Sequence, residues 1–197
     1  MKNLIISPHI DDEVISCSSV LRDDTYVFFC GVEDFHIITK KERKQEAYNV
    51  SVHFGYEYEI WHGVPNSYNR RHFIDTFQKL ILKIKPEKLY IPYYGYNQDH
   101  QEIYEAAMVA TRPHDKNFFV KKILVFEGPD CLWHHPEYKI TYYNPLDIED
   151  KMEGYRLHAS QVRSFRGEDI LISLAKIRGL GCNEKYAEGF IIERWVD

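Results

Sequence analysis

Short apolar runs alternate with segments of helical period from the first residues to about position 127, and that alternation constrains the fold more than any other feature of the chain. Leu4, Ile5 and Ile6, stopped by Ser7 and Pro8, read as a buried first strand, and residues 26–32 as a second. Residues 39–54 are charged and periodic, with Ala47, Val50 and Phe54 on one side and Gly55 next, the pattern of a helix with a glycine stop. Residues 56–61 predict a third strand. Phe73, Phe77, Leu80, Ile81 and Ile84 recur at helical spacing up to Pro86, and residues 88–92 predict a fourth strand. A helix over 100–111 and a fifth strand over 122–126 follow. Strand and helix in strict alternation predict parallel strands joined by crossover helices. Past 127 the pattern loosens: 147–162 and 168–179 predict helices, and 189–196 a late strand. With no linker and no internal repeat, the expectation is α/β: one domain over residues 1–197, a mainly parallel sheet flanked by helices.

Composition supports this and removes several function classes. The 197 residues are 44% hydrophobic and 28% charged, enough for a substantial core under a wet surface. A net charge of −5 argues against a nucleic-acid partner, which calls for a basic face. The 15 tyrosines suit carbohydrate surfaces but are read mainly as core. Cys17, Cys30, Cys131 and Cys182 form no CxxC pair and predict free thiols in a reducing compartment. The first apolar run is three residues long, which predicts no signal peptide, and no stretch approaches a membrane span. A cytoplasmic location is the expectation.

In open parallel sheets ligands bind beyond the carboxyl ends of the strands. After strand one stands Ser7-Pro8-His9-Ile10-Asp11-Asp12-Glu13, and after strand four Tyr93-Tyr94-Gly95-Tyr96-Asn97-Gln98-Asp99-His100. Both loops carry metal-ligand types. His9 and the carboxylate three residues on can share one ion, and imidazole with carboxylate suits zinc. Of two adjacent aspartates, one can ligate while the other takes a proton from the attacking water. His100 offers a third ligand, giving two His, one carboxylate and an open position. The bland reading of the same residues is a helix start, with an Asp capping free N–H groups and acids in the first turn.

Rival readings fail on specific residues. A dinucleotide fold or a P-loop needs glycines in the first loop, and there are none. A receiver domain needs an Asp after strand three and a Lys after strand five, where this chain has His62-Gly63-Val64-Pro65-Asn66 and Glu127-Gly128-Pro129. His134 and His135, beside Trp133 and Pro136, read as loop surface. His36, His53, His62, His72 and His114 lack a carboxylate partner at ligand spacing. Arg70 and Arg71 read as a solvated helix start.

Four segments in order resemble the PIG-L/LmbE-like family of zinc-dependent N-acetylglucosamine deacetylases. Ser7-Pro8-His9-Ile10-Asp11-Asp12-Glu13 is similar to that family's opening motif and Gln98-Asp99-His100 to its later P-D-H element. Arg43-Lys44-Gln45-Glu46-Ala47 with Phe54-Gly55 is similar to its R-K-x-E-A…L-G helix, and His158-Ala159-Ser160-Gln161 to its H-x-S-Q segment. The resemblance implies a Rossmann-like fold and hydrolysis of an N-acetyl group from an amino sugar, with one Zn2+ per chain. It implies His9, Asp12 and His100 as zinc ligands, Asp11 as general base, Arg43 on sugar hydroxyls and Asp99 orienting a zinc histidine. His158 is expected near the site and is the candidate general acid, with Asp11 as the other route. The chain departs from the family pattern at three places. Asn97 stands where many members have His, Gln98 replaces Pro, and Asn66 stands where a sugar-contacting Asp is common. Asn97 can donate one neutral hydrogen bond to an oxyanion but cannot deliver a proton. The alternative reading is a non-catalytic metal- or sugar-binding protein on the same fold.

Overall fold

The computed structural model describes residues 1–34, 38–113, 118–128, 139–163 and 166–197. His36, His114, Cys131, His134 and His135 lie outside the described residues. Seven strands form one sheet: β1 (Asn3–Ser7), β2 (Thr25–Gly31), β3 (Glu57–Gly63), β4 (Lys88–Pro92), β5 (Lys122–Phe126), β6 (Tyr142–Pro145) and β7 (Ala187–Trp195), in the order β3-β2-β1-β4-β5-β7-β6. Six α-helices flank it among the described residues: α1 (Asp12–Cys17), α2 (Lys40–Phe54), α3 (Arg70–Ile84), α4 (Gln98–Ala110), α5 (Ile148–Leu157) and α6 (Glu168–Leu180). Strands β1 to β5 pair in parallel, and β7 pairs antiparallel with both β5 and β6.

β1 lies inside the sheet and is buried at every position, as a strand covered on both faces should be. Alternate side chains feed two cores. Ile5 packs with α1, α2, α5 and α6 through Val14, Ala47, Val50, Met152 and Leu171. Leu4 and Ile6 pack with α3 and α4 through Phe73, Phe77, Ile103 and Ala107. Helix α2 starts on a capping box between Thr39 and Glu42 and ends at Gly55 (φ 81°), the glycine stop expected from the sequence.

Three elements differ from expectation. The 147–162 segment breaks: α5 ends at Leu157, His158 takes a non-helical conformation, and a 3-10 turn covers Ala159–Gln161. The Tyr155 hydroxyl stabilises the break by donating to the Arg166 carbonyl (2.6 Å), with the Gln161 carbonyl also within reach at 3.1 Å. Helix α4 begins at Gln98 because Asn97 caps it, accepting from the Asp99 and His100 N–H groups. Strand β6 has four residues, ends in proline and sits on the sheet edge, where a missing donor is tolerated.

Gly31 and Gly63 face each other across β2 and β3, and a Cβ on Gly31 would collide with the Gly63 carbonyl and the Tyr68 hydroxyl. That close approach brings the Tyr68 hydroxyl to the Pro8 carbonyl (2.7 Å), fixing the loop after β1. Gly31→Ala should therefore destabilise the protein by about 1–3 kcal/mol, the usual cost of overpacking. Urea unfolding checks this, and an unchanged midpoint would refute it.

Candidate metal centre

In the order β3-β2-β1-β4-β5, the chain reverses its direction of progress between β1 and β4, and the loops leaving these two strands build one candidate site there. His9, Asp12 and His100 meet in it. Their ligand atoms lie within 4.8 Å of one another. Asp12 Oδ2 is the focus: it accepts from the His9 backbone N–H (3.0 Å) and lies 3.3 Å from His9 Nδ1 and 3.4 Å from His100 Nε2. Both imidazoles keep 16% of their side-chain surface exposed, so the cluster opens to solvent on one side.

Asp99, buried at the start of α4, sits 2.9 Å from His9 Nε2. A carboxylate only accepts, so Nε2 carries the hydrogen. The Nδ1 lone pair of neutral His9 then faces the Asp12 carboxylate, acceptor against acceptor, and the pair is satisfied only by a cation between them. The residues fit a divalent metal on this ground. Two imidazoles and one carboxylate, with one of the imidazoles held from behind by a second carboxylate, make a donor set suited to zinc.

Without metal, a proton fills that role. Burial opposes charge on His9, but hydrogen bonds with Asp12 and Asp99 outweigh it and hold the imidazole well above its ordinary pKa. Burial likewise opposes charge on Asp12, but His100 and His9 hold its carboxyl well below the usual range. Stability of the metal-free protein should therefore fall at both ends. The His9 contribution is present below the ordinary histidine pKa and is lost as pH rises through the raised value. The Asp12 contribution is present above the ordinary carboxylate pKa and is lost as pH falls through the lowered one. Metal must displace the His9 proton, so affinity should rise about tenfold per pH unit up to the raised pKa and level off above it. A competition titration against a chromophoric chelator at several pH values checks this; a flat profile would refute it.

Asp11 does not act as a helix cap. It occupies the residue before α1 but makes no capping hydrogen bond, and its backbone is unusual (φ 154°, ψ −24°). Its carboxylate instead meets Arg166 Nη2 at 2.7 Å. Arg166 is a site residue that sequence reasoning missed. It follows the expected family segment by five positions, and no spacing rule connects it to Asp11.

Two expected roles are corrected. Arg43 was expected on sugar hydroxyls, but it has no exposed surface: it donates to Glu33 (3.2 Å), Glu46 (2.6 Å), Ser160 Oγ (3.1 Å) and the Ile10 carbonyl. His158 was expected as the general acid, but it too is wholly buried. Its Nε2 donates to Glu13 Oε1 (2.8 Å), and with neither side chain exposed the pair is out of reach of a substrate. Asn97 is half-buried, and its carbonyl oxygen caps α4. Asn66 is exposed in a left-handed turn (φ 66°); its backbone N–H donates to Asp99 Oδ2 (2.7 Å), and its side-chain oxygen accepts from Gln98 (3.0 Å). Asn66 thus sits at the rim, against the carboxylate that holds His9. Among the described residues no helix is long and apolar enough to cross a membrane.

No protein-family model and no curated protein matches the sequence. Solved structures do match. The 4-carboxy-2-hydroxymuconate hydratase GalB from Pseudomonas putida KT2440 is 18% identical, with TM-score 0.78 over 100% of this chain and 99% of that one. The N,N'-diacetylchitobiose deacetylase of Pyrococcus horikoshii is 19% identical, with TM-score 0.73 over 98% of this chain and 84% of that one. The zinc-inhibited form of teicoplanin deacetylase Orf2 is 14% identical, with TM-score 0.75 over 98% and 99%. From end to end, the chain has the fold on which these two deacetylases and this hydratase are built.

Proposed function

We propose that the chain belongs to the PIG-L/LmbE-like family and is a zinc-dependent N-deacetylase, hydrolysing the N-acetyl amide of an amino sugar of the N-acetylglucosamine type to a free amine and acetate. One observation carries the reading: His9, Asp12 and His100 converge on one point at the reversal of the sheet, with the adjacent carboxylate of Asp11 turned to a different partner. His9, Asp12 and His100 would hold the ion, whose chemistry is to polarise the amide carbonyl and acidify the attacking water.

The protein's own groups do the rest. Asp99 keeps the His9 hydrogen on Nε2 and its lone pair on Nδ1. Asp11 Oδ2, kept in place by Arg166, accepts the proton that the water loses as it adds to the carbonyl. With His158 enclosed and Asn97 without a proton to give, Asp11 is also the group that returns this proton to the departing nitrogen. The exchange balances: one water is consumed, its oxygen ends in acetate, and its two hydrogens end on the nitrogen, which is released as an ammonium.

Acetate release from a panel of N-acetylated amino sugars, with and without chelator, tests the function. Release that the chelator abolishes and zinc restores is the expected result. Chelator-insensitive release would sink the metal reading. A second reading, a non-catalytic metal- or sugar-binding protein, is favoured by one observation, that Asn97 stands in the family's histidine position and caps a helix. One metal per chain with no acetate from any substrate would decide for it.

A further inference from the structure

The two polar groups of a single peptide unit, the Ile10 carbonyl and the Asp11 N–H, are each held by a buried charged side chain. Arg43 Nη2 donates to the carbonyl, and Glu13 Oε2 accepts from the N–H at 3.0 Å. Neither side chain has exposed surface, and each is backed in turn. Arg43 is gripped by Glu33, Glu46 and Ser160, while Glu46 also accepts from the Ser160 backbone N–H and hydroxyl, both at 2.8 Å. Glu13 accepts from His158 Nε2 (2.8 Å) and the Tyr56 hydroxyl (3.3 Å).

We propose that these groups form a clamp on the Ile10–Asp11 peptide, and that Arg43, Glu13 and His158 are positioning residues acting through it on Asp11. The argument starts from the backbone. Asp11 is neither glycine nor asparagine, yet it sits at φ 154°, where L-residues are rarely found and persist only when their surroundings over-determine them. Rotation of the preceding peptide is the natural relaxation, and it would break a charge-assisted hydrogen bond at each end. The conformation has a consequence at the site. It splays two adjacent carboxylates, so that Asp12 faces the imidazoles and Asp11 faces Arg166. Residues 43–46 and 158–160 therefore meet each other rather than a ligand, and their shared product is the direction of one carboxylate.

The catalytic part of this inference rests on Asp11 as the base; the geometric part does not. In the zinc-loaded protein, Glu13→Gln should lower kcat about 10–100-fold, the scale of loss from a small misplacement, with KM and zinc content unchanged. In an Asp11→Asn background the same substitution should cost nothing more, since it acts through the carboxylate already removed. By NMR, hydrogen exchange at the Asp11 amide should quicken at least about tenfold in Glu13→Gln and in Arg43→Lys while distant core amides stay protected. Arg43→Lys strips a buried network and can fail to fold; Glu13→Gln is isosteric and keeps the test alive. Losses that multiply in the double variant, or an Arg43→Lys enzyme with raised KM and unchanged kcat, would overturn the proposal in favour of direct substrate contact. Unchanged exchange at Asp11 in the Glu13→Gln variant would overturn the clamp itself. If the unaltered protein releases no acetate from any substrate, the deacetylase reading fails, and the exchange measurement still decides the clamp.

Discussion

Asp11→Asn should lower kcat by about 10²–10⁴-fold, the usual worth of a positioned acid–base group, while metal stays bound at one per chain. The amide keeps the volume of the carboxylate but has no site that takes the water proton at neutral pH. Metal should remain because Asp11 lies outside the His9, Asp12 and His100 cluster. The substitution also leaves Arg166 without its anion. Its Nη2 then faces a neutral carbonyl oxygen or water, and its buried Nε already has no hydrogen-bond partner. Arg166→Met should reproduce part of the loss by letting the Asp11 carboxylate drift. Steady-state kinetics with metal analysis on the same samples checks both. An Asp11→Asn protein with full activity would place the base elsewhere. An equal loss of metal from Asp11→Asn and Asp12→Asn would show that the division of roles between the two aspartates is wrong.

The contrast between what could and could not be read from the sequence is physical. β1, β2, β4 and β5 were legible because a parallel sheet buries its inner strands on both faces, which leaves short runs such as Leu4-Ile5-Ile6 bounded by turn residues. The convergence of His9, Asp12 and His100 was legible because a strand's carboxyl end is a fixed place in such a sheet, and two loops carrying His and Asp leave neighbouring strands. Arg43 was misread because burial of an arginine depends on partners from three other segments, Glu33, Ser160 and the Ile10 carbonyl, and no local pattern announces them. Helix α2 accordingly has a buried face of Arg43, Ala47, Val50 and Ser51, in which the arginine shares the side marked by Ala47 and Val50. His158 was misread for a related reason. A continuous helix through 147–162 hides the break at 158 that turns this imidazole inward onto Glu13, a residue 145 positions earlier. Lys151 and Glu188 form a buried pair at 2.6 Å that ties α5 to β7, and each looks like surface in its own segment.

Loss of a ligand should have the largest effect of all, and comparing two variants separates ligand from support. His100→Ala removes one of three protein donors. It should lower metal affinity by more than about 100-fold, beyond the 10–100-fold range seen when only a supporting partner is lost. Acetate release should fall to background at any practical metal concentration. Asp99→Asn acts one step back. Its side chain no longer holds His9 Nε2 as a carboxylate does, and the Asn66 N–H loses its anionic acceptor. Affinity should drop about 10–100-fold, and activity should return when metal is added in excess, because the three donors are intact. The His9 pKa should fall in the same variant, since one of the carboxylates that raise it is gone. The proton then competes less, so the pH dependence of metal binding should level off at lower pH than in the unaltered protein. Equilibrium metal titrations across pH, paired with activity at low and high zinc, give all of these from one set of samples. Asp99→Asn activity that excess zinc fails to restore would mean that Asp99 does more than hold His9. Undiminished metal binding in His100→Ala would remove His100 from the centre, and with it the argument that the loops after β1 and β4 build one site.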